Sequence, residues 1–208
     1  MSNISDILFI IYLEHLIIFW SYSLLWFMKT TSPIHKNYIK VAKYSLKIQF
    51  TIIPLFGIIF NYLYIQFDNN YLTSLPDLSI YELYQWIFMV AWVDFLFYHF
   101  HRLLHIPKFY HLHKLHHESI TPLPWDALYS SILENILINF LPVFTAPLIV
   151  SLKLYYLIIW VAIATLSALV SHSCNLTHHT HIIHHKYFNV NYGVFPIYDF
   201  MYGTYYTE

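Results

Sequence analysis

Five apolar stretches, each long enough to cross a lipid bilayer, constrain the fold of this 208-residue chain more than any other feature. A membrane-spanning helix needs about 20 predominantly apolar residues, and its backbone must satisfy its own hydrogen bonds within the bilayer. We place the stretches at residues 7–28, 46–67, 80–100, 132–150 and 154–170. The sequence therefore predicts an all-α integral membrane protein with four to five transmembrane helices.

The first stretch has two features of its own. It has neither a basic leader nor a small-residue cleavage site, so we interpret it as a retained span and not as a removable signal peptide. Glu14 and His15 interrupt it. Ionisable residues within a membrane are functional candidates; a mutual polar contact or an interior-facing pair is the alternative.

Composition excludes several classes of function. Only 10% of the residues are charged, far below the quarter that is typical of soluble domains. Three glycines leave no Gly-rich phosphate loop, and the single cysteine, Cys174, excludes an intrachain disulfide and a Cys-based zinc finger. A net charge of −1, without a basic run among the aromatic residues, argues against nucleic acid as a partner.

The distribution of Lys and Arg predicts the orientation in the membrane. Five crossings place residues 29–47, 101–131 and 171–208 on one side, which carries nine of the ten Lys and Arg residues because only Lys153 lies opposite. Positively charged loops mark the cytosolic side. We expect the Lys-rich segment 29–47, between the first two spans, to lie on the cytosolic side, where it can touch anionic lipid head groups.

Histidines recur in three short segments on this predicted cytosolic side. One H-x-x-x-H and two H-x-x-H-H patterns space them three and four residues apart, which on a helix places them on one face. Packed together without a metal, so many imidazoles would leave buried donors and acceptors unpaired. Eight imidazoles exceed the needs of one ion, so we predict a two-metal site and a His-rich helical cap. They are His101, His105, His113, His116, His117, His181, His184 and His185.

Local structure around these histidines follows from neighbouring residues. Pro107 should end the third span, and we expect one short helix after it to carry the second His segment. Asp94 is predicted to accept a hydrogen bond from a ligand imidazole, with an ion pair to Arg102 as the alternative. Glu134 and Asn139 are expected near the cytosolic end of the fourth span, facing the site. Three further histidines are expected to be structural: His15, His35 and His99.

Ligand type restricts the chemistry without naming the metal. Imidazole suits zinc, copper, iron and nickel. The chain has no H-E-x-x-H pairing of a zinc hydrolase, no G-x-S-x-G and no Cys–His nucleophile. Two irons held by imidazoles at the edge of a bilayer would suit activation of dioxygen against an inert C–H bond.

The motifs resemble those of the fatty acid hydroxylase superfamily, which includes sterol desaturases, sterol methyl oxidases, and sphingolipid and fatty acid hydroxylases. The resemblance covers residues 80–208 as one catalytic region, preceded by N-terminal spans in residues 1–79. Its motifs are Asp94, Tyr98, His101-Arg102-x-x-His105, His113-Lys114-x-His116-His117, His172, His181-x-x-His184-His185, Asn191-Tyr192-Gly193, Asp199 and Gly203-Thr204.

The resemblance implies a membrane enzyme of the endoplasmic reticulum type that hydroxylates or desaturates a sterol or acyl lipid. It implies two iron ions (with zinc as a substitute in isolated protein), dioxygen, and electrons from a separate cytochrome b-type donor and its reductase. It adds His172 to the eight ligands above. It gives supporting roles to Asp94, Glu134, Asn191 and Asp199.

Two departures from the family pattern matter. Ser131 stands where the family often has a histidine, and the connection from His172 to His181 is short. The second departure leaves open whether His178 or His179 is a further ligand. A His-rich metal carrier or sensor without oxygenase activity is the alternative function, and an inactive homologue kept as a scaffold is a third.

Overall fold

The computed structural model describes residues 4–30, 37–66, 73–75, 79–174 and 180–207. These residues form helices and connecting loops, with no strand among them. The helices are α1 (Ile4–Lys29), α2 (Tyr38–Tyr64), α3 (Ile80–Leu104), α4 (Tyr110–His113), α5 (Ile132–Ile149), α6 (Leu154–Ser171), α7 (Thr180–Tyr187) and α8 (Ile197–Tyr202). Within the described ranges α1, α2, α3, α5 and α6 are long and apolar enough to cross a membrane, which confirms the predicted fold class.

Helix α2 begins eight residues before the predicted span at residue 46. Lys40 and Lys43, which were predicted to lie between the first two spans, are therefore part of the helix that forms the second span, and the predicted start of that span was wrong. The extra turns are stabilised by packing, because Val41 is buried against a short 3₁₀ turn, Pro124–Leu128, that covers this end of the bundle. Ser45 Oγ also donates a hydrogen bond to the carbonyl of Trp125 at 2.7 Å.

Helix α5 contains two prolines and still runs without a break. Its segment Asn135–Phe140 has π-helical spacing, and the amide of Leu141 bonds the carbonyl of Ile136, five residues earlier. Pro142 has no amide hydrogen to give to the preceding turn. The wider spacing directly before Pro142 accommodates that loss, so the proline changes the hydrogen-bond pattern and the helix continues to Ile149.

Two apolar cores hold the spans together. The core far from the His segments joins α1, α2, α3, α5 and α6 through residues such as Met89 and Trp160. The core near them includes Phe19, Ile48 and Leu169. The outer faces of the spans expose large apolar side chains, and Ile58 is 68% exposed. Such a belt suits contact with lipid.

A buried ion pair lies at the end of the bundle opposite the His segments. Lys153, at the joint between α5 and α6, is buried and lies 2.8 Å from the carboxylate of Glu82 on α3. Gln85 donates a hydrogen bond to the carbonyl of Val150 beside it. The one Lys predicted on this side of the membrane therefore has its charge compensated.

Candidate metal centre

Four parts of the chain bring nine histidines to one end of the bundle. The last turn of α3 carries His101, and His105 caps that helix; His172 caps α6; α7 contributes three more. The prediction of a single helix for the second His segment was wrong, because α4 ends at His113 and a 3₁₀ turn, His116–Glu118, follows. His116 and His117 are adjacent in sequence and project in different directions, and the two belong to different groups.

The larger group, here the five-His group, gathers around His117. Its Nε2 lies 2.9 Å from Nε2 of His113, 3.2 Å from Nε2 of His105 and 3.2 Å from Nε2 of His184. All ligand atoms in the group lie within 4.8 Å of one another. The members are His101, His105, His113, His117 and His184.

The second group, the four-His group, lies directly beside the first. Nε2 of His116 is 3.3 Å from Nε2 of His172 and 3.4 Å from Nε2 of His181. The two groups touch where the rings of His117 and His185 have centroids 4.8 Å apart. The members are His116, His172, His181 and His185, and all are buried.

Oxygen atoms behind five of the nine rings fix which nitrogen of those rings faces the centre of the group. Nδ1 of His113 donates to Glu134 Oε1 at 2.7 Å, which confirms that Glu134 faces the site. In four other histidines Nδ1 donates to a backbone carbonyl, so the lone pair of Nε2 is directed toward the centre of the group. These pairs are His101 with Tyr192, His172 with Ala168, His184 with Val190 and His185 with Ser119.

The donor set fits metal ions. Nε2 of His101 and Nε2 of His185 are buried without a hydrogen-bond partner among the described residues, which is costly unless another group binds them. Two nitrogens each about 2.1 Å from one ion lie roughly 3.4 Å apart at a tetrahedral angle. The Nε2–Nε2 separations of 2.9–3.4 Å match that requirement. That all nine histidines are ligands remains a prediction.

Burial also sets the protonation state. It lowers the pKa of His105 to about 4 and the pKa of His116 to about 3, with neighbouring imidazoles adding to the effect. For His181, His184 and His185 the same two causes hold the pKa well below its usual value. These five imidazoles are therefore neutral at physiological pH, which is the state that binds a metal.

Asp94 has a different role from the one predicted. Its carboxylate accepts hydrogen bonds from the backbone amides of Phe195 (2.8 Å) and Tyr198 (3.5 Å), and within the described ranges it bonds no imidazole. The alternative, an ion pair with Arg102, was also wrong, since Arg102 donates to the hydroxyl of Tyr98 at 2.9 Å. Asp94 holds the C-terminal segment against α3.

The C-terminal segment shapes the loop behind His101. Asp199 accepts from the amides of Tyr192 and Gly193 at 2.9 and 2.8 Å, and so positions the Tyr192 carbonyl that His101 bonds. A Cβ atom at Gly193 would lie 2.4 Å from the carbonyl oxygen of Phe195, so only glycine fits there. Asn191 has a φ of 55° and bonds Tyr206 through both backbone groups of that residue.

Other predicted residues lie away from the centre or outside the described residues. His99 bonds the carbonyl of Phe95, as expected for a structural histidine. Asn139 donates to Ala127 and Asn135, and its side chain lines a cavity beside the site. His35, His178 and His179 lie outside the described residues.

Comparison with known proteins identifies the protein family. The model of the family described as "Fatty acid hydroxylase" matches residues 86–204, which carry all nine histidines. The chain belongs to the fatty acid hydroxylase family. It is similar to the proteins named "Fatty acid hydroxylase domain-containing protein 2" of Homo sapiens and Macaca fascicularis, each 36% identical over 118 residues. No solved structure matches.

The similarity covers part of each protein. The matched residues are 53% of this chain and 35% of either relative, so the chain matches about a third of the length of these curated fatty acid hydroxylase proteins. Ser131, where the resemblance led us to expect a histidine, caps α5: its Oγ accepts from the amide of Glu134 at 3.2 Å. The serine thus helps to position the carboxylate behind His113.

A cavity of about 540 Å³ leads from the centre into the bundle. The sequence does not reveal this cavity, because its walls are ordinary apolar residues such as Phe19, Val90 and Phe140 from several spans. At one end it reaches histidines of both groups. These are His101, His113, His116, His172 and His181.

Proposed function

We propose that the protein is a dioxygen-dependent di-iron oxidoreductase that hydroxylates or desaturates a sterol or acyl lipid. The observation that carries the proposal is the cavity, which joins the membrane-spanning helices to histidines of both groups. Its volume lies within the usual range for ligand pockets. Family membership supports an oxidoreductase with a metal-dependent site.

The five-His group would hold one iron and the four-His group the other. Iron bound there would supply the activation of dioxygen and the cleavage of a C–H bond. The chain itself binds the lipid between apolar helices, orients one carbon toward the histidines and excludes water from the site. The carbonyls behind four of the imidazoles, those of His101, His172, His184 and His185, keep these rings in one tautomer and one orientation.

Both reactions need electrons from outside the substrate. Hydroxylation places one oxygen atom on the lipid and reduces the other to water, which consumes two electrons and two protons. We propose a cytochrome b-type donor and its reductase as their source, as the resemblance implies. We also propose an endoplasmic reticulum location with the His groups on the cytosolic face, where the positive-inside rule puts the Lys-rich side.

Lipid profiling of cells that express the chain tests this function. The control is His116→Ala/His117→Ala, which removes one ligand from each group, and bound metal is quantified in both proteins. A sterol or acyl species should gain an oxygen atom or a double bond only with the intact chain. Stoichiometric zinc and an unchanged lipid profile would favour a metal-binding role without oxygenase activity.

A further inference from the structure

A chain of polar side chains reaches the cavity wall away from the His groups. It links Trp20 and His15 of α1, Gln49 of α2 and Thr165 of α6, and we call it the Thr165 relay. His15 and Thr165 line the cavity. Among the described residues no hydrogen bond joins the side chains of Glu14 and His15, and Oε2 of Glu14 has no hydrogen-bond partner. The alternative of a mutual Glu14–His15 contact is therefore wrong.

The direction of each hydrogen bond in the relay follows from its first donor. Indole nitrogen can only donate, so Trp20 Nε1 gives its hydrogen to Gln49 Oε1 at 2.7 Å. The amide nitrogen of Gln49 therefore faces His15, with 3.2 Å between Gln49 Nε2 and His15 Nε2. Because an amide nitrogen also only donates, His15 Nε2 is the acceptor and the ring is neutral.

The relay ends on a hydroxyl hydrogen that has no acceptor among the residues that the structure describes. A neutral His15 that accepts at Nε2 carries its hydrogen on Nδ1, which then donates to Thr165 Oγ1 at 2.9 Å. Threonines in helices often donate to the carbonyl four residues earlier, as Thr51 and Thr145 do here. Thr165 makes no such bond within the described residues, although only 6% of it is exposed.

We infer that the Thr165 hydroxyl donates a hydrogen bond to a neutral oxygen atom on the lipid, an inference that rests on the proposed function. A buried O–H without an acceptor is unfavourable, so an oxygen in the cavity is favoured at this point. Among the described residues that line the cavity there is no Lys or Arg to match an anionic group. The oxygen is therefore a hydroxyl, ketone, ester or amide oxygen.

The fold also gives the position of that oxygen. Thr165 precedes His172 by seven residues of α6, which corresponds to roughly 10 Å along the helix. The substrate should carry its oxygen at about that distance from the carbon that reacts. A hydrocarbon segment cannot accept a hydrogen bond from Thr165. The site therefore distinguishes lipids with an oxygen atom at this point from lipids that are apolar there.

Binding of matched lipid pairs to the purified chain in phosphatidylcholine nanodiscs tests the inference. The probes are cholesterol against its 3-deoxy analogue and 1-octadecanol against octadecane, so that sterol and acyl sources are separated. The intact chain should prefer the oxygenated member of at least one pair by about three- to tenfold, the usual effect of one hydrogen bond. Thr165→Val should abolish the preference and Thr165→Ser should keep it.

Two further variants test whether the preference depends on the Thr165 relay or on any hydroxyl in the cavity. Ser167→Ala removes another hydroxyl that lines the cavity from α6 but has no relay behind it, and it should keep the preference. Trp20→Phe leaves the Thr165 side chain unchanged but releases the Gln49 amide to rotate, so it should weaken the preference. It also serves as the test if Thr165→Val does not insert into the membrane.

The outcomes separate this inference from the proposed function. His116→Ala/His117→Ala should keep the preference while losing lipid oxidation. An intact chain that oxidises lipid but shows no preference in either pair, or a Thr165→Val variant that retains it, overturns the inference alone. A preference that depends on Thr165, in a chain that oxidises no lipid, supports the inference and contradicts the proposed function.

Discussion

Single residues behind the imidazoles determine how well the centre is preorganised. The histidines themselves could be predicted, because imidazoles three and four residues apart are rare outside metal sites. Their hydrogen-bond acceptors could not, since four of them are backbone carbonyls, which every residue possesses. Glu134 was recognisable as the exception, a carboxylate at the end of an apolar span.

Glu134 provides a test at this scale. Glu134→Ala should lower the affinity for metal by roughly 10- to 100-fold, because His113 loses the acceptor that orients it. Glu134→Gln keeps an oxygen acceptor and should lose less. Metal retention during titration with a chelator measures both. Glu118→Gln, which alters an exposed carboxylate, is the control, and an alanine variant that retains metal like the intact chain would contradict this role.

At the scale of helices and loops, contacts between segments that are remote in sequence stabilise the fold around the site. The span α3 was predictable from hydropathy, but the bonds between its Asp94 and the C-terminal segment join residues about a hundred positions apart. Local sequence contains no information on such a pairing. The start of α2 was missed for a similar reason, since its first turns are stabilised by a distant 3₁₀ turn.

Gly193→Ala should disturb the contact between α3 and the C-terminal segment. The added methyl group would clash with the Phe195 carbonyl and displace the loop whose Tyr192 carbonyl holds His101. We expect reduced metal content and a lower unfolding temperature, measured on protein in detergent. Gly57→Ala in α2, where no atom outside the local helix backbone lies within 4 Å of the added Cβ, should leave both unchanged. Equal effects of the two substitutions would refute the account of this loop.

The Glu82–Lys153 pair should stabilise the opposite end of the bundle. Lys153→Met leaves a buried carboxylate and should lower the free energy of unfolding by about 3–5 kcal/mol, while Glu82→Leu/Lys153→Met should recover much of the loss. Thermal unfolding followed by tryptophan fluorescence measures both. Lys40→Met breaks an exposed pair with Glu118 and should cost less than about 1 kcal/mol. A similar loss for both single variants would count against the buried pair.

The whole molecule is a helical membrane bundle whose cavity ends at two groups of histidines. Its five spans followed from hydropathy, and the convergence of remote His segments followed from counting membrane crossings. The cavity could not be predicted from the sequence, because its shape depends on how interchangeable Leu, Ile and Phe residues pack. Substrate selection is accordingly the property that the sequence reveals least.

Metal binding should stabilise the whole bundle, since the ligands come from α3, α6, α7 and the segment between α3 and α5. An ion that binds only the folded chain adds to its free energy of unfolding. Removal of metal by a chelator should therefore lower the unfolding temperature, and adding iron back should restore it. The variant His116→Ala/His117→Ala should respond less to the chelator; an equal response would place the stabilising ion elsewhere.

The number of metal ions per chain tests the central claim most directly. Protein expressed with ample iron should contain two irons per chain by elemental analysis. His105→Ala, in the five-His group, and His172→Ala, in the four-His group, should each reduce that number toward one. A single zinc per chain, or a metal content that depends on only one of the two groups, would contradict the account.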